Sequence, residues 1–128
     1  MSKVALDECI EAIESGYEFL LAYAAQGFEA NQTGAHSQDV RKHLEAMAAA
    51  LAELDTVTRA ATQERDGIEP SYESFLDTVR DDAVRAAGVV ALVLSREGIS
   101  SQIVDNFNAS THIRTVLTDL FLLDEALK

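Results

Sequence analysis

Apolar residues recur along residues 40–61 at spacings of three and four, the repeat of an amphipathic helix. The stripe consists of Val40, Leu44, Met47, Leu51, Leu54 and, near its continuation, Ala61. Most positions between these residues are alanine, so the backbone of a neighbouring helix can approach closely. The pattern predicts a central helix over about residues 37–63 that packs against several others.

Three further segments have the same period and predict helices over about residues 2–26, 71–97 and 100–127. Serines near the starts of three helices are expected to act as N-caps, because their hydroxyls accept hydrogen bonds from free backbone N–H groups. These caps are Ser2, Ser37 and either Ser100 or Ser101. On the first helix the predicted core stripe is Leu6, Ile10, Ile13, Tyr17, Leu20 and Ala24.

Four helices of similar length joined by short connections predict an all-α fold, a single antiparallel four-helix bundle over residues 1–128. The connection at residues 63–69 reaches at most roughly 30 Å when extended, too little to cross the bundle lengthwise. An up-down-up-down order is therefore favoured over the long crossover of ferritin-type bundles.

The third and fourth predicted helices carry more apolar residues than one core requires. Residues 86–94 are apolar nearly all round, and the end of the fourth helix has a widened apolar face. A helix that is apolar on all sides is buried on all sides, which predicts a contact with another subunit. The expected interface residues are Val89, Val90, Leu92, Val93, Val116, Phe121, Leu122 and Leu123.

The chain is acidic, with a formal net charge of −12 over 128 residues. Such a surface repels phosphate backbones and anionic membranes, so neither nucleic acid nor a membrane is an expected partner. A homodimer or larger homo-oligomer is expected, and a basic protein surface would also suit the charge. The N-terminus lacks the apolar core of a signal peptide and residues 86–94 are too short to span a bilayer, which predicts a cytoplasmic protein.

Few residues in this sequence suggest chemistry. Cys9 is the only cysteine and lies beside the first apolar stripe, so we expect a buried structural thiol. Di-metal sites in helical bundles use Glu-x-x-His pairs, and no such pair occurs here. We expect no catalytic residue, no cofactor and no metal. If a metal were bound, its ligands would come from His43, His112, Glu18 and Glu45.

Two predicted helices are similar to helices of bacterioferritin-like proteins. Residues 112–123 resemble the last bundle helix of that family, in which a ligand histidine is followed by a similar apolar pattern, and the segment beginning Val40-Arg41-Lys42-His43 resembles the second helix. The resemblance implies a ferritin-like bundle. It also implies an association with carboxysomes, since small bacterioferritin-like proteins are encoded beside carboxysome genes in autotrophic bacteria.

The iron ligands of that family are mostly replaced in this chain. On the register of the resemblance, the two Glu-x-x-His pairs fall on Ala48 with Leu51 and on Ala109 with His112, and the haem-ligating methionine falls on Ala49. Three of the four iron ligands are therefore missing. The resemblance thus implies a bundle that has lost iron oxidation.

Histidine phosphotransfer domains are also four-helix bundles of this length, with a histidine on the second helix. In that family a lysine and a glycine follow three and four residues later, where this chain has Ala46 and Met47 after His43. The sequence therefore favours a non-enzymatic, self-associating scaffold or accessory binding protein. A degenerate ferritin-like metal- or haem-related protein and phosphotransfer through His43 are the alternatives.

Overall fold

The computed structural model describes residues 2–30, 35–65 and 69–128, which form five α-helices and no strand. The helices are α1 (Ser2–Ala24), α2 (Ala35–Arg65), α3 (Pro70–Leu94), α4 (Ser101–Ala109) and α5 (His112–Ala126). The predicted all-α fold is confirmed, and the helices pack in a manner compatible with a bundle. Parts of two predicted connections, residues 31–34 and 66–68, lie outside the described residues.

The helix boundaries correct two expected starts and confirm one cap. Helix α2 begins at Ala35, so Ser37 lies inside the helix and is not its N-cap. Helix α3 begins at Pro70. Proline suits the first helical turn, because a backbone N–H at that position has no partner within the helix and proline has no N–H. Ser100 caps α4, since its hydroxyl accepts a hydrogen bond of 3.2 Å from the Ile103 backbone N–H.

The predicted single helix over residues 100–127 is wrong, because the chain breaks it into α4 and α5. Thr111 between them has φ 63° and ψ 6°, a left-handed conformation that L-residues with a branched Cβ rarely adopt. Beside it, the Ser110 hydroxyl donates to the Phe107 carbonyl at 2.6 Å. Polar side chains that bond their own backbone compete with the helical pattern, which accounts for the interruption.

The core forms around α2, as its stripe predicts. Val40, Leu44, Met47, Leu51 and Leu54 are all buried. On α1 the buried face differs from the predicted one, because Ile10, Tyr17 and Ala24 are only half-buried. The residues of α1 that face the core are Leu6, Cys9, Ile13, Gly16, Leu20 and Tyr23.

Gly16 explains why α1 turns this face to α2. A Cβ atom at Gly16 would lie 2.6 Å from the Met47 sulfur, so the missing side chain lets the two helices approach closely. Two turns before Gly16 on the same face, the expected burial of Cys9 is confirmed. Burial, together with the negative charges of Glu53 and Glu8, raises the pKa of the Cys9 thiol.

One end of the helix assembly, which we call the closed end, is tied by buried hydrogen bonds. The Tyr23 hydroxyl donates to the Ile99 carbonyl at 2.6 Å, and the Ser101 hydroxyl donates to the Tyr23 carbonyl at 2.6 Å. The Ser101 hydroxyl also accepts from the Phe28 N–H, and the Ser101 N–H donates to the Phe28 carbonyl, both at 2.8 Å. These bonds join the end of α1 to the start of α4.

The same end leaves no room for a side chain at Gly98. A Cβ atom there would lie 1.9 Å from the Ala30 carbonyl oxygen, an impossible contact with backbone. Nearby, the Arg41 guanidinium at the start of α2 donates to the Leu94 carbonyl at 3.1 Å and to the Arg96 carbonyl at 2.8 Å. The closed end therefore holds α1, α2, α3 and α4 in fixed positions.

The opposite end, which we call the open end, is joined by more exposed contacts. Lys3 forms ion pairs with Asp7 and with Asp124 of α5. The Tyr72 hydroxyl donates to the Ala126 carbonyl at 3.2 Å in an exposed position. Among the residues that the structure describes, no helix has both the length and the apolar character needed to cross a bilayer.

Candidate functional site

His43 on α2 is half-buried, and its ring stacks on Phe19 of α1. The ring centroids are 4.2 Å apart and the planes are inclined by 22°. Phe19 therefore covers one face of the imidazole. This placement gives His43 an evident packing role between α1 and α2.

His43 belongs to a row of five rings that the sequence analysis did not identify. Phe19 stacks with Tyr23 at 6.1 Å, Tyr23 contacts Phe28 at 5.0 Å, and Phe28 stacks on His36 at 4.1 Å. A histidine thus lies at each end of the row. Phe19 and Tyr23 are four residues apart, which places both rings on one side of α1. This spacing was the only feature of the sequence that indicated the row of rings.

The four residues considered as metal ligands do not form a cluster. Glu18 and Glu45 are exposed, while His43 and His112 are half-buried on α2 and α5. Within residues 2–30, 35–65 and 69–128, no group of three or more His, Cys, Asp or Glu side chains could hold a metal ion.

The eight residues predicted to form an interface divide into two groups. Val90, Val93, Val116 and Leu123 lie in the core of the chain itself, with at most 2% of their surface exposed. They fill space between α3, α5 and the other helices, so little of their surface is available to another subunit in this conformation.

The other four interface residues reach the surface. Val89 is half-buried, whereas Leu92, Phe121 and Leu122 are 65%, 45% and 59% exposed. Exposing large apolar side chains to water is unfavourable, and each would release roughly 1.5–3 kcal/mol on full burial. These four residues are therefore the part of the predicted interface that is available to a partner.

Leu122 lines an apolar cavity of about 170 Å³ between the start of α3 and the end of α5. Its other lining residues are Ser71, Tyr72, Phe75, Leu123 and Ala126. We call this cavity the α3–α5 groove. The sequence analysis placed Leu122 and Leu123 in an expected subunit interface, and only the tertiary structure shows that α3 and α5 leave a gap beside Leu122.

A pair of carboxyl groups lies elsewhere between α3 and α5. Asp119 of α5 is half-buried, with its Oδ2 atom shielded from solvent, and Asp82 of α3 pairs with Arg85 at 3.2 Å. Burial, the hydrogen bond to Asp82 and the negative charge of Asp82 together raise the pKa of Asp119 to about 7.

The remaining polar surroundings of Asp119 come from α5 itself. A cavity of about 330 Å³ beside it is lined by Thr111, Arg114, Thr115 and Thr118. No protein-family model, curated protein or solved structure matches this chain.

Proposed function

We propose that this protein is a non-enzymatic helical-bundle scaffold that self-associates through the α3–α5 groove. The observation that carries the proposal is the position of Leu122, which is 59% exposed at the edge of an apolar cavity that its own side chain helps to line. A protruding apolar side chain beside an apolar cavity is typical of an interaction surface.

A second copy of the chain is the occupant that this geometry suits. In a twofold-symmetric dimer the same surface patch is used by both subunits, so each must present both a protrusion and a cavity. Leu122 supplies the protrusion and the groove beside Tyr72 and Phe75 supplies the cavity. Symmetric insertion would remove two exposed leucines from water at once.

Because the chain is strongly acidic, the salt dependence of association distinguishes a second copy of the chain from a basic protein partner. With a net charge of −12, two copies repel each other, and salt screens that repulsion. Self-association through apolar contacts should therefore strengthen as ionic strength rises. Binding to a basic protein should weaken under the same conditions.

Contacts between helix ends support an up-down-up-down bundle in which α4 and α5 are one interrupted helix. The Arg59 guanidinium near the end of α2 pairs with Asp77 near the start of α3 at 2.6 Å. The start of α1 meets the end of α5 through Lys3 and Asp124. These contacts favour short hairpins over the long crossover of ferritin-type bundles, so we propose the simpler connectivity.

The test is light scattering on the wild-type protein and two variants over a range of concentrations. Leu122→Lys places a charge in the groove, and Val84→Lys is the matched control because Val84 is 67% exposed on α3 but does not line the groove. Both changes reduce the net negative charge, so weaker association in either cannot come from added repulsion.

We expect a wild-type dimer or larger assembly at micromolar concentration, a monomer for Leu122→Lys, and an unchanged assembly for Val84→Lys. A monomeric wild-type protein at high salt would overturn the proposal. Equal effects of the two variants would overturn the assignment of the groove as the contact surface.

A further inference from the structure

A groove runs along the side of the molecule between α1 and α4. It is a cavity of about 360 Å³, which we call the α1–α4 groove. Residues of both helices line it, namely Tyr17, Leu21, Ala24, Asp105, Asn108 and Ala109. A second cavity of about 350 Å³ shares Ala24 and Asp105 with this groove and extends it toward the closed end. Neither cavity shares a residue with the α3–α5 groove.

The α1 side of the α1–α4 groove is apolar. Leu21 is 47% exposed, and Tyr17 and Ala24 lie half-buried beside it. Removing the exposed leucine surface from water is favourable. This row therefore offers a contact site for an apolar side chain of a partner.

Acidic residues border this apolar row. Glu14 lies one turn before Tyr17, and Glu18 lies one turn before Leu21, so helical spacing places both carboxylates next to the row. Asp105 lines the groove from α4. The groove thus combines an apolar α1 side with carboxylates on both helices.

These carboxylates have no cationic partner in the described part of the chain. No ion pair there includes Glu14, Glu18 or Asp105. Lysine and arginine are also absent from residues 4–40 and 97–113. On α3, by contrast, three aspartates pair with arginines, and these are Asp77, Asp81 and Asp82. A basic partner would therefore meet unpaired carboxylates at the α1–α4 groove.

We propose that the α1–α4 groove is the docking site for a basic amphipathic helix of a partner protein. An apolar side chain of that helix packs against Leu21 and Tyr17. Its lysine or arginine side chains lie beside Glu14, Glu18 and Asp105. An amphipathic helix in a groove is a recurrent mode of recognition, and complementary charge selects the partner. This inference does not rest on self-association.

A second copy of the chain does not suit this groove. In a twofold-symmetric contact the same patch meets itself, so Glu18 and Asp105 of one copy would face the same carboxylates of the other. No lysine or arginine of residues 4–40 or 97–113 would lie between them. The two grooves therefore take different partners, a second copy at α3–α5 and a basic helix at α1–α4.

The α1–α4 groove is held open by contacts within the chain. The Asn108 Nδ2 donates to the Leu20 carbonyl at 3.2 Å, which holds α4 against α1, and the Ser101 hydroxyl bonds the Tyr23 carbonyl. A partner binds such a site without having to order it, which favours affinity. The Asn108 Oδ1 has no hydrogen-bond donor among the described residues, so a partner N–H that reaches it would satisfy a shielded acceptor.

Binding of a defined peptide tests the proposal. The probe is a fluorescently labelled peptide of about 14 residues, roughly 21 Å long as a helix, with leucine on one face and lysine elsewhere. One control peptide has glutamate in place of lysine, and the other has serine in place of leucine. By fluorescence anisotropy at low salt, we expect both controls to bind roughly tenfold more weakly or less than that.

Affinity for the leucine–lysine peptide should also fall as the salt concentration rises. If the wild-type protein did not bind this peptide, the proposal would be overturned. Equal binding of the serine peptide would overturn it as well, because the groove would then contribute nothing beyond charge.

The first pair of variants tests the apolar contact. Leu21→Gln removes the apolar side chain of the groove, and Val84→Gln is the matched control because Val84 is 67% exposed on α3. We expect roughly tenfold weaker peptide binding by Leu21→Gln and unchanged binding by Val84→Gln. Equal losses in the two variants would exclude the groove as the binding site.

The second pair of variants tests the carboxylates. One protein combines Glu18→Gln with Asp105→Asn, and the control combines Glu45→Gln with Glu73→Gln, two exposed residues of α2 and α3. Both proteins lose the same net charge. We expect peptide binding roughly fivefold weaker in the first protein and nearly unchanged in the control. Equal weakening would show a response to overall charge and would contradict the proposal.

Amide chemical shifts keep the test independent of variant folding. When the leucine–lysine peptide is added to the wild-type protein, the largest shift changes in NMR spectra should fall at residues 17–25 and 101–109. Largest changes at residues 71–75 and 122–126 would place the peptide in the α3–α5 groove and overturn the proposal. Light scattering of Leu21→Gln should show the wild-type assembly, and loss of that assembly would mean that a second copy covers the α1–α4 groove instead.

Discussion

The closed end and the open end of this molecule are held together by different kinds of contact. At the closed end, Tyr23 and Ser101 form short, buried hydrogen bonds, the Phe28 N–H forms a partly buried one, and a Cβ atom at Gly98 would meet backbone. At the open end, Lys3 forms ion pairs, Tyr72 forms an exposed hydrogen bond, and the apolar groove lies between α3 and α5.

This difference indicates that the closed end is the more rigid part of the molecule and that the open end is the end that a partner can contact. Buried hydrogen bonds are costly to break because the separated groups lose both water and partner. Exposed ion pairs contribute little, since water and salt replace them readily. A partner can therefore reach the open end without breaking strong contacts, whereas the closed end fixes the helices that carry the groove.

The largest expected effect is that of Gly98→Ala at the closed end. The added Cβ meets the Ala30 carbonyl oxygen at 1.9 Å, so the backbone of residues 28–30 must move away from Ser101. We expect a loss of about 3 kcal/mol in the free energy of unfolding, measured by urea denaturation.

Gly88→Ala is the control for the glycine change. Gly88 lies within α3, and nothing lies within 4 Å of the position its Cβ would occupy. Alanine favours the helix, so this variant should be more stable by up to about 1 kcal/mol. Equal effects of the two changes would mean that the closed end is not tightly packed.

A pair of tyrosine variants compares the two ends with the same chemistry. Tyr23→Phe removes a buried bond of 2.6 Å to the Ile99 carbonyl and should cost about 1–2 kcal/mol. Tyr72→Phe removes an exposed bond of 3.2 Å to the Ala126 carbonyl and should cost less than about 0.5 kcal/mol, because water takes its place. Urea unfolding of both variants measures the difference, and similar losses would contradict the contrast.

A small and salt-dependent effect should come from Lys3→Ala at the open end. Lys3 pairs with Asp7 and Asp124, and the lysine side chain is 48% exposed. We expect a loss of at most about 1 kcal/mol at low salt and almost none in 1 M salt, measured by thermal unfolding. Lys128→Ala, which breaks only an exposed pair with Glu125, should have no measurable effect at either salt concentration.

The sequence predicts what depends on local periodicity. The stripe of α2 was placed correctly because each of its members, from Val40 to Leu54, is a larger apolar residue among alanines. The break before α5 was missed because Phe107, Ile113 and Leu117 continue the helical period across it. The polar residues Ser110 and Thr111 were the only local sign of an interruption.

Features that join distant parts of the chain could not be derived from periodicity. Asp82 and Asp119 belong to different helices, and no pattern within either helix indicates that they meet. The same holds for His43 against Phe19. The predicted interface combined core residues with surface residues for a related reason. In the sequence, an apolar residue such as Val90 or Leu122 looks the same whether its neighbour is a helix of its own chain or water.

The burial of Cys9 gives this chain an internal reporter of its own opening. It is the only cysteine and it faces the core from α1, with a thiol whose pKa is raised by burial and by nearby carboxylates. A thiol-alkylating reagent must wait for α1 to expose the sulfur, because the reactive thiolate is scarce while the site is closed. The rate of alkylation of Cys9 in the wild-type protein therefore reports how readily α1 opens, without any added label.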